Sequence, residues 1–130
     1  MKAKQILWIS ALVGACYCFI SRSAMALPPQ EPLVRLAELE IDPAQLGGYE
    51  AALKEEIAAS IRLEPGVLNL YAVSVKDHPN QIRLFEMYRD EASYQAHLST
   101  SRFKRYKQAT QHMIKSLTLI ETQPVLLGSR

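Results

Sequence analysis

Residues Leu84–Tyr106, LFEMYRDEASYQAHLSTSRFKRY, hold the change of period that decides the fold. Through Tyr88 the apolar side chains fall on both faces of an extended run, the pattern of a strand covered on both sides. Asp90 then stands where a helix N-cap belongs, opening a short helix over Glu91–Leu98. Ser99 or Thr100 caps a second helix that the spacing carries to about Ser116, with Phe103, Tyr106, Thr110, Met113 and Leu117 as its core stripe. One carboxylate, Glu86, sits inside the strand. It has to be paired, protonated or used, because an isolated charge in a protein interior costs several kcal/mol.

Working outward, the upstream partner of this strand is Val67–Val75, VLNLYAVSV. The polar turn KDHPN joins it to a strand over Gln81–Arg89, so the two read as a hairpin. Leu33–Ile41 alternates and reads as a first strand. Asp42-Pro43 follows as N-cap and first helical residue, and the helix runs to about Leu63 with Leu46, Tyr49, Leu53, Ile57 and Ile61 on one stripe. Gly47-Gly48 weakens its first turn, by about 1 kcal/mol per glycine relative to alanine. Pro65 cannot continue it, and Gly66 suits a positive φ. Leu117–Leu127 is a last strand, with Pro124 pointing to an edge or a bulge. The order β-α-β-β-α-β predicts an α+β, ferredoxin-like fold: a four-stranded antiparallel sheet with helices on one face. The apolar content of the other face predicts that a second copy covers it, giving a homodimer.

The first 26 residues have a different character. Lys2 and Lys4 precede a 15-residue uncharged run, Ile6–Ile20, and Ala24-Met25-Ala26 supplies a small-x-small end. These are the three regions of a secretory signal peptide, and the run is short against the ~20 residues of a membrane span. The expected organisation is residues 1–26 as signal peptide, 27–32 as an extended proline-rich leader and 33–130 as one domain, with cleavage after Ala26 and a periplasmic or secreted location. Val13–Cys16 loosely resembles a lipobox, and an uncleaved segment would be the only link to a membrane. Cleavage removes three of the 15 basic residues and none of the 13 acidic ones, leaving 12 against 13. A net charge of −1 carries no nucleic-acid footprint. Cys16, Cys18 and Trp8 depart too, which excludes disulfides, a thiol nucleophile and cysteine metal ligands from the mature chain.

EPGVLNLYAV, then the hairpin, then LFEMYRDEASYQAHLSTSRFKRY together resemble the antibiotic biosynthesis monooxygenase family, in particular its quinol monooxygenase-like and autoinducer-2 phosphate isomerase-like branch. The resemblance covers about Leu33–Leu127. It rests on Glu86-x-Tyr88-x-Asp90-Glu91-Ala92 followed by His97 and Phe103. It implies a dimeric α+β barrel with one pocket per subunit between sheet and helices. Some members of the family oxidise phenols or quinols with O2 and no cofactor; on that likeness O2 would be co-substrate and a small aromatic molecule the partner. Haem-degrading members use an Asn, a Trp and a His, and this mature chain has no Trp.

Such chemistry needs a phenolate, since a phenol with a pKa near 10 is a poor electron donor. It therefore needs a base, a stabiliser for the anion and a dry pocket. His97 is the candidate base, its unperturbed pKa of about 6.5 lying near neutral pH. The alternative is a core histidine bonded to a backbone carbonyl. Glu86 is either a partner of His97 or of substrate, or one half of an intersubunit ion pair with Arg83, Arg89 or an arginine of the second copy. Tyr71, Tyr88 and Asn69 are candidate substrate donors, Asn69 sharing the alternation of Tyr71, and Phe103 is a candidate wall. His78 and His112 lack a second ligand at metal spacing, so no metal site is expected, and no glycine-rich loop provides for a nucleotide. An isomerase would need Arg102, Lys104 or Arg105 turned inward to hold a phosphate. A dimeric binding protein without catalysis is the remaining alternative.

Overall fold

In a computed structural model that describes residues 31–128, four strands and three helices follow the expected order. They are β1 (Leu33–Ile41), α1 (Leu46–Leu63), β2 (Val67–Val75), β3 (His78–Tyr88), α2 (Glu91–Ser99), α3 (Ser101–Thr110) and β4 (Ile114–Glu121). The sheet runs β2-β3-β1-β4, antiparallel throughout. The signal peptide and most of the leader lie outside the described residues. Among the described residues no helix is long and apolar enough to cross a membrane.

Asp42 does cap, accepting from the Ala44 amide at 3.0 Å, but it opens a 3-10 turn over Pro43–Gln45 before α1 begins. The stripe of α1 is rotated from the expected one. Tyr49 and Leu53 are buried and Leu46 and Ile57 partly so, whereas Ile61 is 47% exposed. Glu56 and Ser60 are buried instead, because this side of α1 faces α3. Gly66 does not adopt a positive φ. Its need is space: a Cβ there would collide with the Ser93 side chain, while its carbonyl accepts from the Arg89 amide at 2.8 Å.

The hairpin loop is tighter than KDHPN suggests. It is Lys76-Asp77, with Asp77 at φ 66°. A register shift after Ser74 accommodates Pro79 and Asn80 within β3 as a bulge, where proline's missing N–H does no harm. Helix α3 ends at Thr110, six residues short of its expected end. Met113 lies in a 3-10 turn, and Leu117 belongs to β4. The reason is tertiary. Ile114 pairs with Ile41 and the Met113 carbonyl accepts from the Asp42 amide at 2.8 Å, so completing the sheet on β1 outweighs the helical period of the sequence. Pro124 follows the strand rather than interrupting it.

Register partners share a face, which sorts the sheet. Arg35, Ala37, Leu39, Leu84, Glu86 and Tyr88 face the helices, and with Tyr49, Leu53 and Ile82 they bound the core. Each fully buried aliphatic side chain there, such as Ile41, contributes about 1.5–3 kcal/mol. The opposite face carries Leu36, Phe85, Met87, Tyr71, Val73 and Ile120. Tyr71 and Val73 remain 60% and 61% exposed.

Candidate functional site

Between the helix-side face of the sheet and helices α2 and α3 lies a cavity of about 540 Å³, well within the range of small-molecule sites. Glu86 and Tyr88 project into it from β3, Tyr94 and His97 from α2, Phe103 and Tyr106 from α3. Leu117 and Leu119 of β4, 47% and 54% exposed, form its mouth. A crevice of about 50 Å³ adjoins it behind Glu86, His97 and Phe103 and is too small for an aromatic ring.

The helix breaks set this geometry. Asp90 accepts from the Ser93 amide at 2.7 Å and from its hydroxyl at 2.6 Å, starting α2 directly after β3. Those two bonds and the adjacent Arg89 guanidinium hold the Asp90 carboxyl below the usual carboxylate range. Thr100 is extended at ψ 142° and caps α3 by accepting from the Phe103 amide at 3.1 Å. The bend at Thr100 turns Phe103 back onto His97, with ring centroids 4.5 Å apart. Tyr88 lies 5.5 Å from His97 and meets Tyr94 edge-on at 5.1 Å. Arg35 stacks over the Tyr94 ring at 4.5 Å and pairs with Glu121 at 3.3 Å.

Glu86 pairs with neither Arg83, which lies against Glu38, nor Arg89, which lies against Asp90. It accepts from Tyr88 Oη at 3.2 Å. Burial pushes its carboxyl above the ordinary range, against the lowering pull of that hydrogen bond and of His97 and Arg35. Tyr88 is pushed far up, first by burial and then by the Glu86 carboxylate it donates to. It therefore keeps its proton and acts as a donor. Tyr106 donates to Tyr49 Oη at 3.0 Å, and burial raises both phenols.

Four of the six residues singled out from the sequence, Glu86, Tyr88, His97 and Phe103, meet at this cavity. Asn69 does not join them, and Tyr71 reaches only the adjoining small crevice, which it lines beside Glu86, His97 and Phe103. Asn69 and Tyr71 share a face, as expected from their alternation, but it is the opposite one, paired with Met87 and Phe85. Tyr71 Oη donates to Asn69 Oδ1 at 3.1 Å and its ring stacks on Phe85 at 6.4 Å. A register shift between Val67 and Asn69 turns Leu70 toward Glu86 instead.

The partner of His97 is a residue the sequence presented only as a helix end. Glu64 Oε2 lies 3.0 Å from His97 Nδ1, and Arg102 donates to Glu64 Oε1 and, at 3.2 Å, to Ser60 Oγ. Ser60 in turn donates to Glu56 Oε1 at 3.1 Å. Arg102 Nε stands 3.3 Å from Glu56 Oε2 but is not aligned for a hydrogen bond. Glu56, Ser60 and Glu64 follow at steps of four, one polar stripe on α1, and that spacing was the available signal. Glu56, Glu64 and His97 bring ligand atoms within 4.8 Å of one another, a set that could hold a cation. The Arg102 guanidinium already contacts both carboxylates and supplies that positive charge. Lys104 and Arg105 are exposed. The cations that border the cavity are Lys107 and Lys115.

The model of the family "Antibiotic biosynthesis monooxygenase" matches residues 32–109. The chain is 48% identical to a candidate antibiotic biosynthesis monooxygenase from Bacteriodes thetaiotaomicron VPI-5482, whose crystal structure superposes with a TM-score of 0.74 over 77% of this chain and 95% of that one. A candidate monooxygenase from Lactobacillus acidophilus NCFM is 28% identical, with a TM-score of 0.66 over 68% of this chain and 42% of that one. A Nitrosomonas europaea protein, 16% identical with a TM-score of 0.69 over 77% of this chain and 96% of that one, shares the fold. No match was found among curated proteins. With its ferredoxin-like sheet, its helix-side cavity and a family match over most of the described residues, the chain belongs to the antibiotic biosynthesis monooxygenase family.

Proposed function

We propose that the protein is a cofactor-independent monooxygenase that oxidises small phenolic or quinol substrates with O2 in an extracytoplasmic compartment. The observation that carries this reading is the cavity itself: aromatic walls of Tyr94, Phe103 and Tyr106 around a half-buried carboxyl at Glu86 and an imidazole at His97. Aromatic walls suit a flat ring. His97 takes the phenolic proton, and Tyr88 with Glu86 orients the ring oxygen. The phenolate gives an electron to O2, the two radicals combine at a ring carbon, and loss of water from the resulting peroxide leaves a quinone. For a naphthol the atoms balance as naphthol plus O2 to naphthoquinone plus water, the substrate supplying all four electrons.

Exclusion of water favours the charged steps. The exposed Leu117 and Leu119 at the mouth, and the apolar outer face with Tyr71 and Val73, support assembly as a homodimer. The isomerase alternative is less well served. Arg102 does turn inward, but onto Glu56 and Glu64, and among the described residues the cations bordering the cavity are Lys107 and Lys115. Oxygen uptake by the purified protein with a panel of naphthols and hydroquinones tests the proposal. Uptake above the autoxidation blank that His97→Ala abolishes is expected, and no uptake with any member would overturn it.

A further inference from the structure

The bond between His97 and Glu64 constrains the chemistry of the imidazole more than proximity alone would. His97 is 4% exposed and sits in the last turn of α2. Its Nδ1 lies 3.0 Å from Glu64 Oε2. A carboxylate oxygen can only accept, so Nδ1 carries the proton, and in the neutral ring Nε2 is then the lone-pair atom. Among the described residues Nε2 makes no hydrogen bond, while the ring borders the 540 Å³ cavity. The neutral imidazole of a free histidine favours the opposite tautomer, with the proton on Nε2. The protein therefore selects the less common form, as an outer carboxylate does for histidines whose second nitrogen must stay free.

Glu64 is itself held from two directions. It is the C-cap of α1, its backbone amide donating to the Ser60 carbonyl at 2.9 Å, and Arg102 of α3 grips its second oxygen. The charged or titratable groups around the His97 ring are Glu64 and Glu56 from α1, Arg102 from α3, and Glu86 and Tyr88 from β3. Glu64 alone among them bonds the ring.

We propose that Glu64 is a positioning residue of the site: it holds the proton on His97 Nδ1 and so leaves Nε2 as the basic atom for a bound phenol. This rests on the oxygenase reading for its purpose, not for its geometry. Arg102 acts through Glu64, fixing the carboxylate and balancing its charge. Neither residue touches substrate.

The test reads the tautomer directly. In ¹⁵N-labelled protein, at a pH where the ring is neutral, two-bond nitrogen–proton couplings show which nitrogen of His97 bears the proton. His97→Gln identifies the signal, and the exposed His78 and His112 serve as references. The expected result is Nδ1–H in the wild type, reversal to Nε2–H in Glu64→Leu, and Nδ1–H again in Glu64→Gln, whose amide oxygen still accepts. A wild-type ring protonated on Nε2 overturns the proposal, whether or not Glu64→Leu folds. So does an Nδ1–H that persists in folded Glu64→Leu. Oxygen uptake with 1-naphthol should follow the tautomer, with kcat lost in Glu64→Leu and recovered in part in Glu64→Gln. The expected tautomers without uptake by any of the proteins would keep the positioning of His97 and sink the oxygenase reading.

Discussion

Glu86 sits on β3 beside Tyr88, with Arg35 as its register partner, and burial lifts its carboxyl above the ordinary carboxylate range. The consequence for stability has a definite sign. Below the ordinary value the carboxyl is protonated in folded and unfolded chains alike. As pH rises, the unfolded chain loses its proton first, so this residue's contribution to stability declines until the folded protein ionises too. Glu86→Gln keeps an acceptor for Tyr88 and removes the ionisation. It should be more stable than the wild type at neutral pH and equal to it at acidic pH, by urea midpoints across the range. An offset independent of pH would contradict this origin. At this scale the sequence was legible where periodicity alone places a side chain. Glu86, Tyr88, His97 and Phe103 reach one cavity because strand alternation and helical spacing put them there. Asn69 was turned away by a register shift that no local pattern announces, and Tyr71, in register with Phe85, went with it and reaches only the small crevice beside Glu86 and His97. Glu64 was hidden because its partner is 33 residues away.

The bend between α2 and α3 is made by one hydroxyl, since Thr100 alone supplies the side-chain cap of α3. Thr100→Ala should lower stability by about 1 kcal/mol, and Thr100→Ser should restore most of it. Equal urea midpoints for all three proteins would show that the cap is not what fixes the turn. The seam between α1 and α3 depends on Arg102 between Glu56 and Glu64. Removing one partner of a largely buried ion pair leaves the others uncompensated, and Arg102→Leu should cost about 3 kcal/mol, the low end for such pairs because the guanidinium is partly exposed. Arg102→Lys should recover only part, having a point charge in place of a planar fork. A neutral Arg102→Leu would mean that solvent screens both carboxylates. Elements whose ends carry local chemistry were readable in advance: Asp42, Asp90 and Pro65 mark boundaries to within a few residues. The end of α3 was not, because Gln111–Ser116 continues a helical stripe and only pairing of Ile114 with Ile41 draws it into the sheet.

At the scale of the whole molecule, the outer face of the sheet is covered by none of the described helices. Tyr71, Val73 and Ile120 stand exposed on it around Phe85 and Met87, a patch of the kind that marks protein contact surfaces. If a second copy covers it, Val73→Asp should bring the sedimentation mass from dimer to monomer while leaving the fold intact, because Val73 packs on little within its own chain. A wild-type monomer would remove the dimer from the account. The topology was legible as a whole, since the order of elements and a hairpin between β2 and β3 leave few ways to close a four-stranded sheet. Chemistry does not follow from topology in the same way, and the deciding measurement concerns the fate of the oxygen atoms. Metal-stripped protein turning over 1-naphthol under ¹⁸O2 should place one labelled atom in the quinone and the other in water, at one O2 per product. Labelled hydrogen peroxide with unlabelled quinone, or no labelled product at all, would contradict a cofactor-independent monooxygenase.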